Sequence, residues 1–129
     1  MKNILYIAAG GSLGAVARYL LSRYLNNQFA FSAIPVGTLA VNVLGAFTIG
    51  FLFALFSHTI ISSEMKAFLT VGFLGALTTF STFSLETVNL IRQQEIGAAF
   101  GSILLNNLLS LVMVVTGSLV FNLILKAAK

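Results

Sequence analysis

Long apolar runs separated by three short polar stretches set the pattern of this chain. Four runs, at roughly 4–24, 36–56, 65–92 and 98–126, approach or exceed the length of a spanning helix, which takes about 20 mostly apolar residues. The stretches between them are 26–35, 57–64 and 93–97. The only proline, Pro35, stands just ahead of the second run, where its fixed φ suits a helix entry. The runs use nearly the whole chain. They predict an all-α integral membrane fold, one domain over 1–129 with four transmembrane helices per protomer and no room for a soluble catalytic domain. Lys2 followed by an apolar run has the start of a signal peptide, but three more spans follow and no cleavage context is visible. The first helix is therefore read as retained.

The third run carries the strongest departure from this pattern. Residues 72–86 begin with Gly72 and Gly75, continue into Thr78, Thr79, Ser81, Thr82 and Ser84, and close on Glu86. Phe80 and Phe83 interrupt the hydroxyls and lie three apart, on one helix face. A lipid-facing helix has no use for five hydroxyls in seven residues. Non-helical backbone at membrane depth must be buried in protein or line a cavity. The stretch predicts a helix broken near its middle, at about 75–79, that lines something polar. A break there frees main-chain carbonyls near 75–78, and freed carbonyls need partners. A cation such as sodium, held where the break meets a symmetry mate, is one way to supply them.

The other runs hold fewer polar positions. In the second, Thr38, Asn42 and Gly45 recur at helical spacing. Asn42 suits either an interhelical hydrogen bond or a pore-lining donor, and Thr38 one turn away on the same face favours the pore. In the fourth, Asn106, Ser110 and Thr116 are the deep polar residues; Asn106 and Ser110 share a face, while Asn107 points elsewhere. Such hydroxyls either bond their own backbone or face the third helix as a track. In the first, Gly10 and Gly14 form a small-xxx-small pair that permits close helix approach. Arg18 either snorkels to the interface or sets positive charge at the mouth of an anion path.

Composition narrows the function classes. Only 8% of the 129 residues are charged and 58% are hydrophobic, against about 25% charged in a soluble domain. The net charge of +4 comes from seven cations, mostly near predicted helix ends, so no nucleic-acid surface is read into it. There is one histidine, His58, no cysteine and no aspartate, and the acids are Glu64, Glu86 and Glu95. No nucleophile–base pair, carboxylate pair or phosphate cradle is available, which argues against an enzyme. Lys2, Lys66, Lys126 and Lys129 fall on one side of a four-span topology, and Arg23 and Arg92 on the other, joined by Arg18 if it snorkels that way. That balance gives the positive-inside rule little to act on. It permits insertion both ways, and hence an antiparallel homodimer in the lipid bilayer. Hydroxyls and amides donate hydrogen bonds to anions, and phenyl edges carry partial positive charge. The lining therefore suits a compact anion that sheds water yet is released again.

At these residues the chain resembles a known family, the small dual-topology fluoride channels (Fluc/CrcB). The resemblance covers essentially the whole chain. Its most specific part is Gly72-Phe73-Leu74-Gly75-Ala76-Leu77-Thr78-Thr79-Phe80-Ser81-Thr82-Phe83-Ser84, with Gly14-Ala15…Arg18-Tyr19 and Gly37-Thr38-Leu39-Ala40-Val41-Asn42-Val43-Leu44-Gly45 in support. It implies a dual-pore antiparallel homodimer in the bacterial inner membrane that passively exports cytoplasmic fluoride and relieves its toxicity. It further implies that Phe80 and Phe83 turn ring edges to the ion, that Asn42 positions the anion and supports the rings, and that Ser81, Thr82 and the hydroxyls of the fourth helix form a polar track. A structural sodium ion at the dimer interface would be held by main-chain oxygens of Gly75 and Thr78. Ala76 stands where the family often has a second glycine, and alanine tolerates left-handed backbone less well.

Two other readings compete. A dual-topology proton-coupled exporter of small cationic drugs fits the size and charge balance but needs a membrane-embedded carboxylate, for which Glu86 is the candidate. A non-transporting assembly subunit fits the small-residue contacts but leaves the hydroxyl cluster unexplained.

Overall fold

In a computed structural model, residues 2–128 are described. Helix α1 spans Lys2–Gln28, α2 Val36–His58 and α6 Ile96–Ala127. The third span, Ser63–Arg92, is assembled from shorter pieces. All four spans are long and apolar enough to cross a membrane. No strand occurs among the described residues.

Helix α1 continues past Tyr24 to Gln28, and the extension has a use. The first amides of α2 lack helical acceptors, and Pro35 at its N-cap makes no side-chain cap bond. Asn26, in the last turns of α1, fills the gap: the Gly37 N–H donates to its Oδ1 at 2.7 Å.

The third span opens with α3, Ser63–Ala67, whose N-cap Ser62 accepts from the Met65 N–H at 3.3 Å. A π-helical stretch, Phe68–Leu74, follows, then the short α4, Gly75–Leu77. Thr78 (φ −83°, ψ 156°) and Thr79 (φ −153°, ψ 121°) are extended, and α5 runs from Phe80 to Arg92. The interruption thus falls on the two threonines. Gly75 itself is helical (φ −62°, ψ −33°). No described glycine has positive φ. Ala76 lies in helical α4 with negative φ, which alanine adopts freely, so a second glycine is not required there.

Two close crossings build the bundle. Where α1 meets the π-helical stretch, a Cβ on Gly72 would lie 2.7 Å from the Ile7 carbonyl oxygen, and one on Gly10 would run into the Phe68 carbonyl oxygen. Where α2 meets α6, a Cβ on Gly117 would strike the Phe47 carbonyl oxygen and one on Gly50 that of Val114. The Ser118 hydroxyl donates to the Gly50 carbonyl at 2.8 Å across the same crossing. In lipid, close van der Waals packing replaces the hydrophobic drive between helices, and small residues make it attainable. Val41, Leu74 and Leu77 form the buried centre. Leu5, Leu13, Leu111 and Leu119 are exposed, as expected where the solvent is hydrocarbon.

Candidate functional site at the helix break

Breaking the third span strands backbone groups that a continuous helix would pair. Thr79 N–H would have met the Gly75 carbonyl and Thr82 N–H the Thr78 carbonyl. Instead the Thr79 N–H donates to Asn42 Oδ1 at 2.8 Å. The Thr82 N–H donates to Thr79 Oγ1 at 3.2 Å, so Thr79 caps α5. Its hydroxyl proton goes to Thr82 Oγ1 at 3.0 Å, with Ser81 Oγ 3.4 Å away.

Asn42 is the hub of this arrangement. Its Nδ2 donates to the Thr79 carbonyl at 3.1 Å and to Asn106 Oδ1 at 2.9 Å. Asn106 in turn donates from Nδ2 to the Ser102 carbonyl at 3.0 Å. One carboxamide therefore ties α2 to the break and to α6. Both its protons are committed, while Asn106 keeps one in reserve.

Beside this network lies an open cavity of about 510 Å³ between α2, the third span and α6. Asn42, Thr78, Thr79, Asn106, Asn107 and Ser110 give it polar walls, and Phe80 and Phe83 line it with rings. Those two rings meet edge-on, centroids 5.4 Å apart at 63°. Their surroundings differ sharply: Phe83 is 6% exposed and Phe80 is 74% exposed.

The remaining residues singled out in the sequence fall around this cavity. Thr38, buried one turn from Asn42, donates to Glu86 Oε1 at 2.9 Å, and neither lines the cavity. Ser81 and Thr82 stand exposed on the first turn of α5, joined to Thr79 rather than to the cavity wall. Arg18 is half-buried on α1 and away from the lining. Thr116 turns its hydroxyl back to the Val112 carbonyl at 2.9 Å, as Thr78 does to Leu74 at 3.0 Å and Ser84 to Phe80 at 2.8 Å. Those protons answer the backbone of their own helix.

Three polar lining residues, Thr70, Thr79 and Asn107, were not singled out as site residues by sequence reasoning; Thr70 spends its hydroxyl on the Lys66 carbonyl at 2.8 Å. Asn107 lines the open edge beside its neighbour, although its Nδ2 bonds the Ile103 carbonyl at 2.7 Å. Thr79 is the pivot of the break. Its signal was the hydroxyl three residues ahead of Thr82, the spacing of an N-cap.

The carbonyls of Gly75 and Thr78 are left without their helical donors by the bonds just described. They are hard oxygen donors of the kind that suit sodium or calcium-like cations. Among the described residues no group of three or more His, Cys, Asp or Glu is placed to hold a metal ion.

Four apolar spans and an open cavity with polar groups at the helix break define a small multi-pass membrane protein built around a broken helix. The family described as CrcB-like protein, Camphor Resistance (CrcB), matches residues 5–118, and the chain belongs to it. It is 52% identical over 123 residues to the fluoride-specific ion channel FluC of Shewanella sediminis (strain HAW-EB3), covering 95% of this chain and 98% of that protein. It is 50% identical to the protein of the same name from Shewanella loihica (strain ATCC BAA-1088 / PV-4), with the same coverage. The Shewanella amazonensis (strain ATCC BAA-1098 / SB2B) protein of that name is also 50% identical, over 117 residues, 91% of this chain and 94% of that protein.

Proposed function

We propose that this chain is a fluoride-selective channel that lets cytoplasmic fluoride leave a bacterial cell passively across its inner membrane. The observation that carries the reading is the likeness, near 50% identity and almost end to end, to proteins named fluoride-specific ion channels. The cavity chemistry supports it. Fluoride is compact and strongly hydrated, so a path for it must replace water with donors. Ser110 and the spare amide proton of Asn106 are donors on the wall. Phenyl edges at Phe80 and Phe83 add weak positive charge. Ser81 and Thr82 continue the donors along α5 beyond the cavity. Several shallow contacts of this sort favour entry without deep trapping. Asn42 acts by holding Thr79 and the ring-bearing helix in place, and Arg18 adds positive charge at an approach to the path.

A second copy of the chain completes the path in this reading. Gly75, Phe80 and Asn107 are exposed at the open side of the cavity. Polar groups facing acyl chains are costly, and a partner covers them where lipid does not. The even spread of basic residues permits the partner to be antiparallel, which gives two pores. The Gly75 and Thr78 carbonyls of both copies together make four oxygens, a set fitting one structural sodium ion at the interface. That ion would neutralise carbonyl charge at the crossing, and it is not cargo.

The exporter reading needs a carboxylate that meets its cargo. Glu86 lies off the cavity wall with Thr38 on its carboxylate, which favours the channel. The test is fluoride efflux from proteoliposomes, read with a fluoride electrode beside a matched chloride experiment. Fast fluoride loss with little chloride loss is expected. Well-folded protein that releases neither ion would remove the proposal.

A further inference from the structure

A second cavity, of about 390 Å³, lies far from the helix break, where the C-terminal ends of α2 and α6 come together. Its walls are His58, Leu119, Asn122, Leu123, Leu125 and Lys126. Two of the polar groups, His58 and Lys126, mark one end, and Asn122 sits one turn deeper on α6 beside Leu123. His58 is the last residue of α2 and Lys126 lies in the last turn of α6. Leu119 is seven positions before Lys126, roughly 10 Å deeper along the helix axis. The cavity therefore has a basic, hydrogen-bond-donating mouth at the end of the spans and a leucine-lined floor within them.

The mouth is partly built in advance. The His58 ring stacks on Phe121, centroids 5.8 Å apart at 24°. Phe121 is buried and is itself held edge-on by Phe51 at 5.3 Å and 90°. One face of the exposed imidazole thus rests on a buried ring. The imidazole offers a ring N–H in either protonation state, Asn122 offers an amide, and Lys126 offers a full positive charge. No carboxylate lines the cavity. Basic pockets between spanning helices at headgroup level bind anionic lipid headgroups.

We propose that this cavity is a binding site for an anionic phospholipid. The headgroup phosphate lies against Lys126 and His58, Asn122 one turn deeper donates to a glycerol-ester oxygen, and an acyl chain descends along Leu123 and Leu119. The leucine floor is what commits the site to a lipid, since a free phosphate ion gains nothing from it.

The test is lipid titration of the purified full-length protein in detergent. Bound lipid is counted by native mass spectrometry with phosphatidylglycerol, phosphatidylcholine or inorganic phosphate as the probe. Wild-type protein is expected to retain phosphatidylglycerol well above phosphatidylcholine. Lys126→Gln, at an exposed position, is expected to weaken that retention roughly fivefold. Asn122→Leu is expected to weaken it as well, and Lys66→Gln, outside the cavity, to leave it unchanged. Equal retention of the two lipids, or no change in both cavity variants, would overturn the proposal. So would displacement of the lipid by inorganic phosphate at equal concentration, which would mark a plain anion site. A smaller oligomer in Lys126→Gln at unchanged helicity would instead make a second copy the occupant, and would also overturn it.

Discussion

Asn42 takes both main-chain polar groups of Thr79, accepting from its N–H at 2.8 Å and donating to its carbonyl at 3.1 Å. Backbone pairing of this kind is normally made by another peptide group. Here a side chain 37 residues away makes it, at the one place where the third span leaves the helix. Asn42→Ala leaves the buried Thr79 N–H unpaired. The expected loss is about 1–3 kcal/mol of stability, together with most fluoride efflux. Asn42→Asp keeps the acceptor but sets carboxylate oxygen against the Thr79 carbonyl and Asn106 Oδ1, so it should cost at least as much as Asn42→Ala. Thermal unfolding in detergent and proteoliposome efflux, measured on the same preparations, check both halves.

The two rings of the site should separate folding from conduction. Phe83 is packed and Phe80 projects. Phe83→Ile should lower stability by roughly 1–3 kcal/mol. Phe80→Ile should change the stability of a single chain by less than about 0.5 kcal/mol. Both should slow fluoride efflux at least about tenfold, the equivalent of roughly 1.4 kcal/mol in the barrier. Full-rate efflux from folded Phe80→Ile and Phe83→Ile proteins would show that the rings do not meet the ion.

Glycine at the α2–α6 crossing is a matter of space. Gly117→Ala presses a methyl group against the Phe47 carbonyl. Overpacking of this kind costs about 1–3 kcal/mol, more than the helix propensity gained. Gly97 has nothing within 4 Å of an added Cβ. Gly97→Ala should therefore be neutral or stabilising by up to about 1 kcal/mol. Parallel melting curves decide; equal melting of the two variants would remove the crossing from the account.

Sodium dependence tests the freed carbonyls. Because Gly75 and Thr78 offer main-chain oxygens, no side-chain substitution removes them cleanly. Replacing sodium by N-methyl-D-glucamine, too bulky for such a site, should lower both the melting temperature and the dimer fraction. A melting curve and dimer fraction identical in the two salts would dismiss the sodium site and leave the fluoride reading standing.

Much of the architecture follows from composition along the chain. Four apolar runs must become helices, because backbone polar groups in lipid have to be satisfied within each segment. The hydroxyl cluster at 78–84 marked the break for the same reason, since such residues have no place against acyl chains. Gly10 and Gly14 marked a close crossing by the absence of side chains alone. These are local properties, and local sequence carries them.

Tertiary structure decided what the polar residues do with their protons. Ser84 and Thr116 read as candidate lining, yet each hydroxyl bonds a carbonyl four residues earlier and neither reaches the cavity; Thr78 does line it, with its proton spent in the same way. Asn42 read as a donor toward the cavity, yet its two protons go to Thr79 and Asn106. The break falls within the expected 75–79, and its place on the two threonines is set by Thr79 capping α5 and Asn42 receiving its N–H. Phe80 and Phe83 share a helix face in sequence, yet one projects and the other is buried. A residue's type and helical phase are written in the chain. Which partner consumes a donor depends on distances between segments far apart in sequence, and those are set only when the helices pack.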